Sequence, residues 1–314
     1  MSDIALTVAP IFLLILAGYG FCRFGFLKPS FWQPAENLAY YILLPALIIG
    51  KLSKADLTVL PVSNIAITIV VLILISTCFI TILRPLFKMS GPAFTSVLQG
   101  STRINAYIAF AVADLIYGPD GIILCALFVA IAMPVCNIIC ISALAFYAHS
   151  DGPKWANVPK EIARNPIILA CIIGWVINIV SLPLPNVAIE FLNILDRAAL
   201  PLALLCVGAG LVAGFSYSMY KTLFITCILK LIFMPVSAAL IMSFTGLTGL
   251  TFVIVMLFAT CPASPASYVL ARQLGGDAPL MAAILTIQTL LSAIAIPIVL
   301  NWATEITVVI KWIF

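Results

Sequence analysis

Charge is what this sequence lacks most. Asp, Glu, Lys and Arg make up 8% of its 314 residues, against 64% apolar residues and a mean hydropathy of +1.24. Soluble domains carry about 25% charged residues, so a surface this poor in charge is excluded from facing water over most of its area. Histidine is almost absent, His149 being the one copy. With no HExxH, no CxxC and no Cys/His cluster, a metal site is not expected. The nine cysteines (22, 78, 125, 136, 140, 171, 206, 227 and 261) fall mostly inside apolar runs. They read as small buried hydrophobes, without disulfides. An intramembrane aspartyl protease needs a GxGD motif, and Leu274-Gly-Gly-Asp277 lacks its first glycine. No catalytic residue, enzyme activity or cofactor is therefore expected. The opening MSDIALTVAP has no basic leader or small-residue cleavage site, so it reads as a retained first span.

What is present is a series of long apolar runs. A spanning helix needs roughly 20 mostly apolar residues, and ten candidates stand between charged, Gly or Pro punctuation. They cover about 4–22, 33–50, 62–83, 93–117, 120–147, 166–180, 187–213, 221–243, 248–272 and 279–300. The longest polar stretch, 149–164, divides the chain into units 1–148 and 165–314. The expected fold is an all-α membrane protein of ten helices.

The +4 net charge is spread too thinly through the connections to suggest nucleic acid, and it serves instead as a topology signal. Nine basic residues (Arg23, Lys28, Arg84, Lys88, Lys154, Lys160, Arg164, Lys221, Arg272) follow odd-numbered spans. Three (Lys51, Lys54, Lys311) follow even-numbered spans or lie at a terminus, and three more (Arg103, Arg197, Lys230) fall within spans. The excess of Lys and Arg marks the cytoplasmic side. Both termini are thus expected outside the cytoplasm of a cell (inner) membrane protein, with the 149–164 linker inside.

A shift of 156 residues lays Pro10 on Pro166, Ile11 on Ile167, Gly18 on Gly174, Asn37 on Asn193, Leu44 on Leu200 and Pro45 on Pro201. A shift of 163 lays Ala130-Ile-Ala-Met-Pro134 on Ala293-Ile-Ala-Ile-Pro297. Such self-similarity suggests an internal duplication. Because five is odd, the second five-helix half enters the membrane from the opposite side, giving an inverted repeat. In transporters built this way, the sites lie near the midplane at interrupted helices. Pro45 and Pro201, as symmetry mates, are expected to act as matched hinges.

Two spans carry unusual chemistry. Span four holds Arg103, Asn105 and Asp114 at bilayer depth, where a charge costs at least about 2.5–3.5 kcal/mol. Arg103 and Asp114 share a helix face but stand about 16 Å apart. Two readings are open: a substrate or ion pathway, or a structural role as an internal ion pair with another helix (Asp196 being a candidate) or by snorkelling. Span nine contains Pro262, Ser264, Pro265 and Ser267 near its middle. Two prolines three apart should open a helix and free its carbonyls; a kink repaired by serine hydroxyls is the alternative. Displacing Asn105 by the local offset lands on 262–266, so the two polar breaks correspond.

Five segments, APIFLLILAGYGFCRFGFL (9–27), LAYYILLPALI (38–48), RINAYIAFA (103–111), RNPIILACIIGWVIN (164–178) and ARQLGGD (271–277), resemble the auxin efflux carrier family of bacterial and plant transporters. The resemblance spans essentially the whole chain. It implies two inverted five-helix repeats, with interrupted spans four and nine crossing near the midplane. Spans one, two, six and seven would form a scaffold and homodimer interface, and the rest a moving domain. It also implies a secondary carrier for a small organic anion, a mono- or dicarboxylate, with a proton or sodium as coupling ion. Candidate substrate contacts are Arg103, Asn105, Tyr107, Pro262, Ser264, Pro265 and Ser267; Asp114 and Asp196 are candidate charges within the membrane. A sodium-coupled symporter of the bile-acid type, a channel and an intramembrane enzyme are the alternatives. One departure stands out. Many relatives carry a proline shortly after the asparagine of span four, whereas Ala109–Val112 has none, which argues for a less complete break there.

Overall fold

The computed structural model describes residues 2–55, 60–148 and 165–313, so the 149–164 linker lies outside the described residues. Every regular element among them is helical. In chain order these are α1 (Ser2–Arg23), α2 (Pro29–Leu38), α3 (Leu44–Leu52), α4 (Val62–Phe87), α5 (Gly91–Thr102), α6 (Ala106–Tyr147), α7 (Pro166–Ile179) and α8 (Asn186–Ala209). They continue as α9 (Tyr220–Ile228), α10 (Met234–Thr245), α11 (Gly249–Thr260), α12 (Ala266–Gln273) and α13 (Ala278–Ile313). Seven helical stretches among the described residues are long and apolar enough to cross a membrane. One of them, 91–147, has length for two spans. It is interrupted at Gly118, whose φ of 59° and ψ of −145° suit a residue without Cβ. The shorter apolar helices α7 and α11 lie where the sixth and ninth expected spans fall. The protein is an all-α, multi-pass membrane protein.

Two spans widen into a π-helical turn, Ala39–Leu43 between α2 and α3 and Leu229–Phe233 between α9 and α10. Each turn ends just before a proline, Pro45 in one case and Pro235 in the other. Proline lacks an N–H and crowds the carbonyl four residues back, and one extra residue in the turn relieves that clash. Pro201, by contrast, sits within continuous α-helix in α8. The expected hinge pair Pro45 and Pro201 therefore has two different local backbones; the local counterpart of Pro45 is Pro235.

The densest packing forms a first group, in which α1 lies along α8 and α3 packs on α7 and α8; this group also meets α6 and α13. Around the interrupted spans, α13 packs on α5, α11 and α12, and α4 packs on α5, α6 and α10. Within the first group, glycines allow backbone-to-backbone approach. A Cβ added at Gly18 would stand 2.0 Å from the Leu205 carbonyl oxygen, and one at Gly208 would stand 1.8 Å from that of Ile15. Gly174, which the 156-residue shift superposes on Gly18, plays the matching part where α7 meets Leu52 of α3.

These contacts predict a contrast. Gly208→Ala is expected to destabilise the carrier by about 1–3 kcal/mol, because neither backbone can yield without separating the helices. Gly210→Ala, whose added Cβ meets nothing closer than 3.5 Å, is expected to be neutral. Melting temperature and the monodisperse fraction in detergent report both; equal behaviour of the two variants would remove the close-approach argument.

Candidate functional site

The centre of the molecule is the place where spans four and nine both lose their helix. Span four stops at Thr102, and Arg103 is extended at φ −77° and ψ 157°. The helix resumes behind Asn105, whose Oδ1 accepts from the amides of Tyr107 at 3.1 Å and Ile108 at 3.3 Å. An asparagine N-cap of this kind offers the backbone a partner other than the preceding turn. No proline is needed, and the break is complete despite the Ala109–Val112 departure. Span nine stops at Thr260, with Cys261 extended at φ −58° and ψ 140°, and resumes after Pro265. The two breaks touch through the backbone, the Asn105 amide donating to the Pro262 carbonyl at 2.7 Å.

A residue of α13 joins both breaks. Gln288 is fully buried. Its Oε1 accepts from the Ala263 amide at 3.0 Å, and its Nε2 donates to the Gly100 carbonyl at 3.0 Å and to that of Thr226 at 3.4 Å. The Cys136 thiol donates to the Thr102 carbonyl at 3.5 Å. Repair of the span-nine break therefore comes from a glutamine on another helix and not from its own serines. Ser267 Oγ is buried without a hydrogen-bond partner.

A cavity of about 630 Å³ opens onto the crossover. Arg103, Asn105, Tyr107, Ser264 and Pro265 line it, together with Gln33, Glu36, Asn37, Tyr40, Asn137, Asn165 and Gln273. Pro262 contributes its carbonyl to the crossing rather than a face to the cavity, and Ser267 lies behind the lining. Arg103 is 7% exposed and its Nη1 has no hydrogen-bond partner; Asn105 Nδ2 is likewise buried and unpartnered. The N-termini of α6 and α12 begin at the same place, and each carries about half a positive charge in partial form. Glu36, the acidic residue of the lining, stands across from this positive end, and no ion pair joins it to Arg103 among the described residues.

Asp114 and Asp196 are elsewhere. They line a second cavity of about 510 Å³ with Lys51, Asn193, Arg197 and Pro201. Asp196 pairs there with Lys51 at 3.0 Å. An internal ion pair between Arg103 and Asp196 is thus overturned, since Asp196 is paired with Lys51 in a different cavity, and no ion pair joins Arg103 to Asp114 among the described residues. Sequence reasoning also left Lys51 in a connection, although it occupies the last turn of α3, and passed over Glu36, Lys230 and Gln288. For Gln288 the signal was available, as a glutamine in the apolar run ILTIQTLLSAIAIP. The argument that singled out Arg103 applies to it equally.

Residues 155–300 match the family described as Membrane transport protein. The chain is also 24% identical over 299 residues to an uncharacterized transporter of Methanothermobacter thermautotrophicus, covering 93% of this chain and 96% of that protein. With seven helical stretches long and apolar enough to cross a membrane and two interrupted helices meeting at a polar crossover among the described residues, the chain is similar to membrane transport proteins over its second half and to that transporter over most of its length.

Proposed function

We propose that the protein is a secondary active carrier for a small organic anion, a mono- or dicarboxylate, working by alternating access. The observation that carries this reading is the pair of unpartnered donors, Arg103 Nη1 and Asn105 Nδ2, buried at the cavity wall between two helix N-termini. A carboxylate fits both features. Guanidinium presents a planar fork to two oxygens, and helix N-termini favour anions. The cavity volume of about 630 Å³ suits a small molecule.

The two cavities support alternating access. The larger is lined by Gln33, Asn165 and Gln273, near Lys28 at the start of α2 and Arg272 in the last turn of α12. In the orientation that the basic residues favour, it faces the cytoplasm. The smaller lies on the other side of the crossover, towards the end of α3 and the Gly118 interruption. Movement of the crossing helices against the α1, α3, α7 and α8 group would close one and open the other. That group is also the surface we assign to a homodimer, and Glu36 is the group in the cavity suited to carry a coupling proton.

Purified protein in proteoliposomes tests the reading, with a panel of mono- and dicarboxylates and with proton and sodium gradients imposed separately. Saturable uptake with counterflow is expected. A strict sodium requirement would replace a proton-coupled carrier with a symporter of the bile-acid type. Conductance without saturation or counterflow would replace the carrier with a channel.

A further inference from the structure

Span eight carries a lysine for which the anion site has no use. Lys230 lies in the π-helical turn Leu229–Phe233 and is fully buried, with no hydrogen-bond partner for Nζ. An ammonium buried in a membrane protein is costly, so its surroundings must offset the charge. No carboxylate does so among the described residues. The turn packs against α5, α9, α10, α11 and α13. Of these, α5, α10 and α11 contain no ionisable residue, α9 offers Tyr220, Lys221 and Cys227, and the Glu305 of α13 lies 17 residues beyond Gln288. The titratable groups within electrostatic reach of Nζ are the Cys261 and Cys136 thiols.

Packing locates the lysine: its turn lies against α5 and α11, and Gln288 ties the Thr226 carbonyl, one turn before Lys230, to the Gly100 carbonyl near the end of α5. Cys261 caps the C-terminus of α11, and Cys136 donates to the Thr102 carbonyl at the C-terminus of α5. Lys230 therefore lies by the ends of both half-helices that stop at the crossover. The last carbonyls of a helix have no intrahelical amide, and each C-terminus carries about half a negative charge in partial form. Freed carbonyls and half-helix C-termini are the groups with which carriers of this construction hold monovalent metal ions. The anion cavity lies on the opposite, N-terminal ends of α6 and α12.

We propose that the Lys230 ammonium is a tethered cation, built into the place between the C-termini of α5 and α11 where a monovalent metal ion would otherwise be held. The inference rests on the carrier reading for its purpose. It assigns the crossover a positive partner that travels with the substrate carboxylate, so that no sodium ion is needed there.

The test is the melting temperature of the purified carrier at constant ionic strength in N-methylglucamine chloride, sodium chloride or methylammonium chloride. Wild type is expected to melt at one temperature in all three. Lys230→Ala leaves a vacant cation site. It is expected to melt lower in N-methylglucamine and to recover saturably with sodium or methylammonium, by about 5 °C at a hundredfold excess over the dissociation constant. Lys230→Met fills the space without the charge, and it is expected to melt low in all three salts. The idea is overturned if Lys230→Met melts with wild type, if folded Lys230→Ala recovers with neither cation, or if wild type itself shows a saturable sodium shift. Should Lys230→Ala not be recovered folded, the methionine variant and the wild-type salt series decide the question. No arm measures transport, so failure of the cation site and failure of the anion site are separately visible.

Discussion

Replacing Arg103 with alanine is expected to abolish saturable carboxylate uptake in proteoliposomes while the amount of folded, inserted carrier stays near wild type. The expectation follows from what the side chain does not touch. Arg103 is 7% exposed, its Nη1 has no partner, and it belongs to none of the ion pairs among the described residues. A guanidinium that held two helices together would show its carboxylate, and removing it would orphan that carboxylate at a cost of about 3–5 kcal/mol. Here Asp196 is held by Lys51 instead, in the other cavity. On the proposed function, a substrate carboxylate is the group expected to complete the arginine. Lysine keeps the charge but not the planar fork. With charge-assisted hydrogen bonds worth about 1.5–3 kcal/mol, Arg103→Lys is expected to raise the apparent KM by roughly tenfold or more, with a smaller change in maximal rate. Normal substrate affinity in well-folded Arg103→Ala would remove the residue from the anion site. Loss of folded protein, recovered when Glu36 is neutralised, would make it a structural partner of Glu36.

The sequence disclosed the spans because their signal is additive. Twenty apolar residues in a row outweigh any single polar one, and all ten expected runs correspond to helical stretches among the described residues. The two breaks were legible to different degrees. In span nine Pro262 and Pro265 remove amides outright, so the interruption follows from covalent structure. In span four the break depends on the Asn105 cap and on carbonyl partners at Gly100 and Thr102 that come from α13 and α6. No local pattern encodes such partners. Arg103, Asn105, Tyr107, Ser264 and Pro265 stand at or beside the two breaks in the sequence and line one cavity, whereas their distance from Asp114 and Asp196 was not legible. That separation depends on which helix faces which, and Lys51 was needed to reveal it. Pro45 and Pro201 illustrate a further limit. They correspond in sequence, yet the backbone before Pro45 widens and that around Pro201 does not.

Gln288→Leu is expected to be the most damaging single change outside the cavity, lowering both the melting temperature and the maximal transport rate. The side chain is fully buried and satisfies groups from three spans: the Ala263 amide in one break, the Gly100 carbonyl just before the other, and the Thr226 carbonyl of α9. Leucine conserves volume but can neither accept nor donate. It leaves the Ala263 amide and the Gly100 carbonyl without these partners, each at a cost of about 1–3 kcal/mol. Relaxation that rescued them would shift the Asn105–Pro262 crossing on which the cavity wall is built. Gln288→Glu separates the two halves of the interaction. A carboxylate still accepts from the Ala263 amide, but it turns an oxygen towards the Gly100 and Thr226 carbonyls and adds a buried charge. The glutamate variant is therefore expected to be at least as impaired as the leucine variant, even though glutamate is the closer match in shape. A contact that served only to fill space would reverse that order, with glutamate mild and leucine neutral. Measuring melting temperature and transport kinetics on both variants decides between the two. A Gln288→Leu carrier with wild-type melting and wild-type rate would mean that the two breaks are held by their own backbones alone.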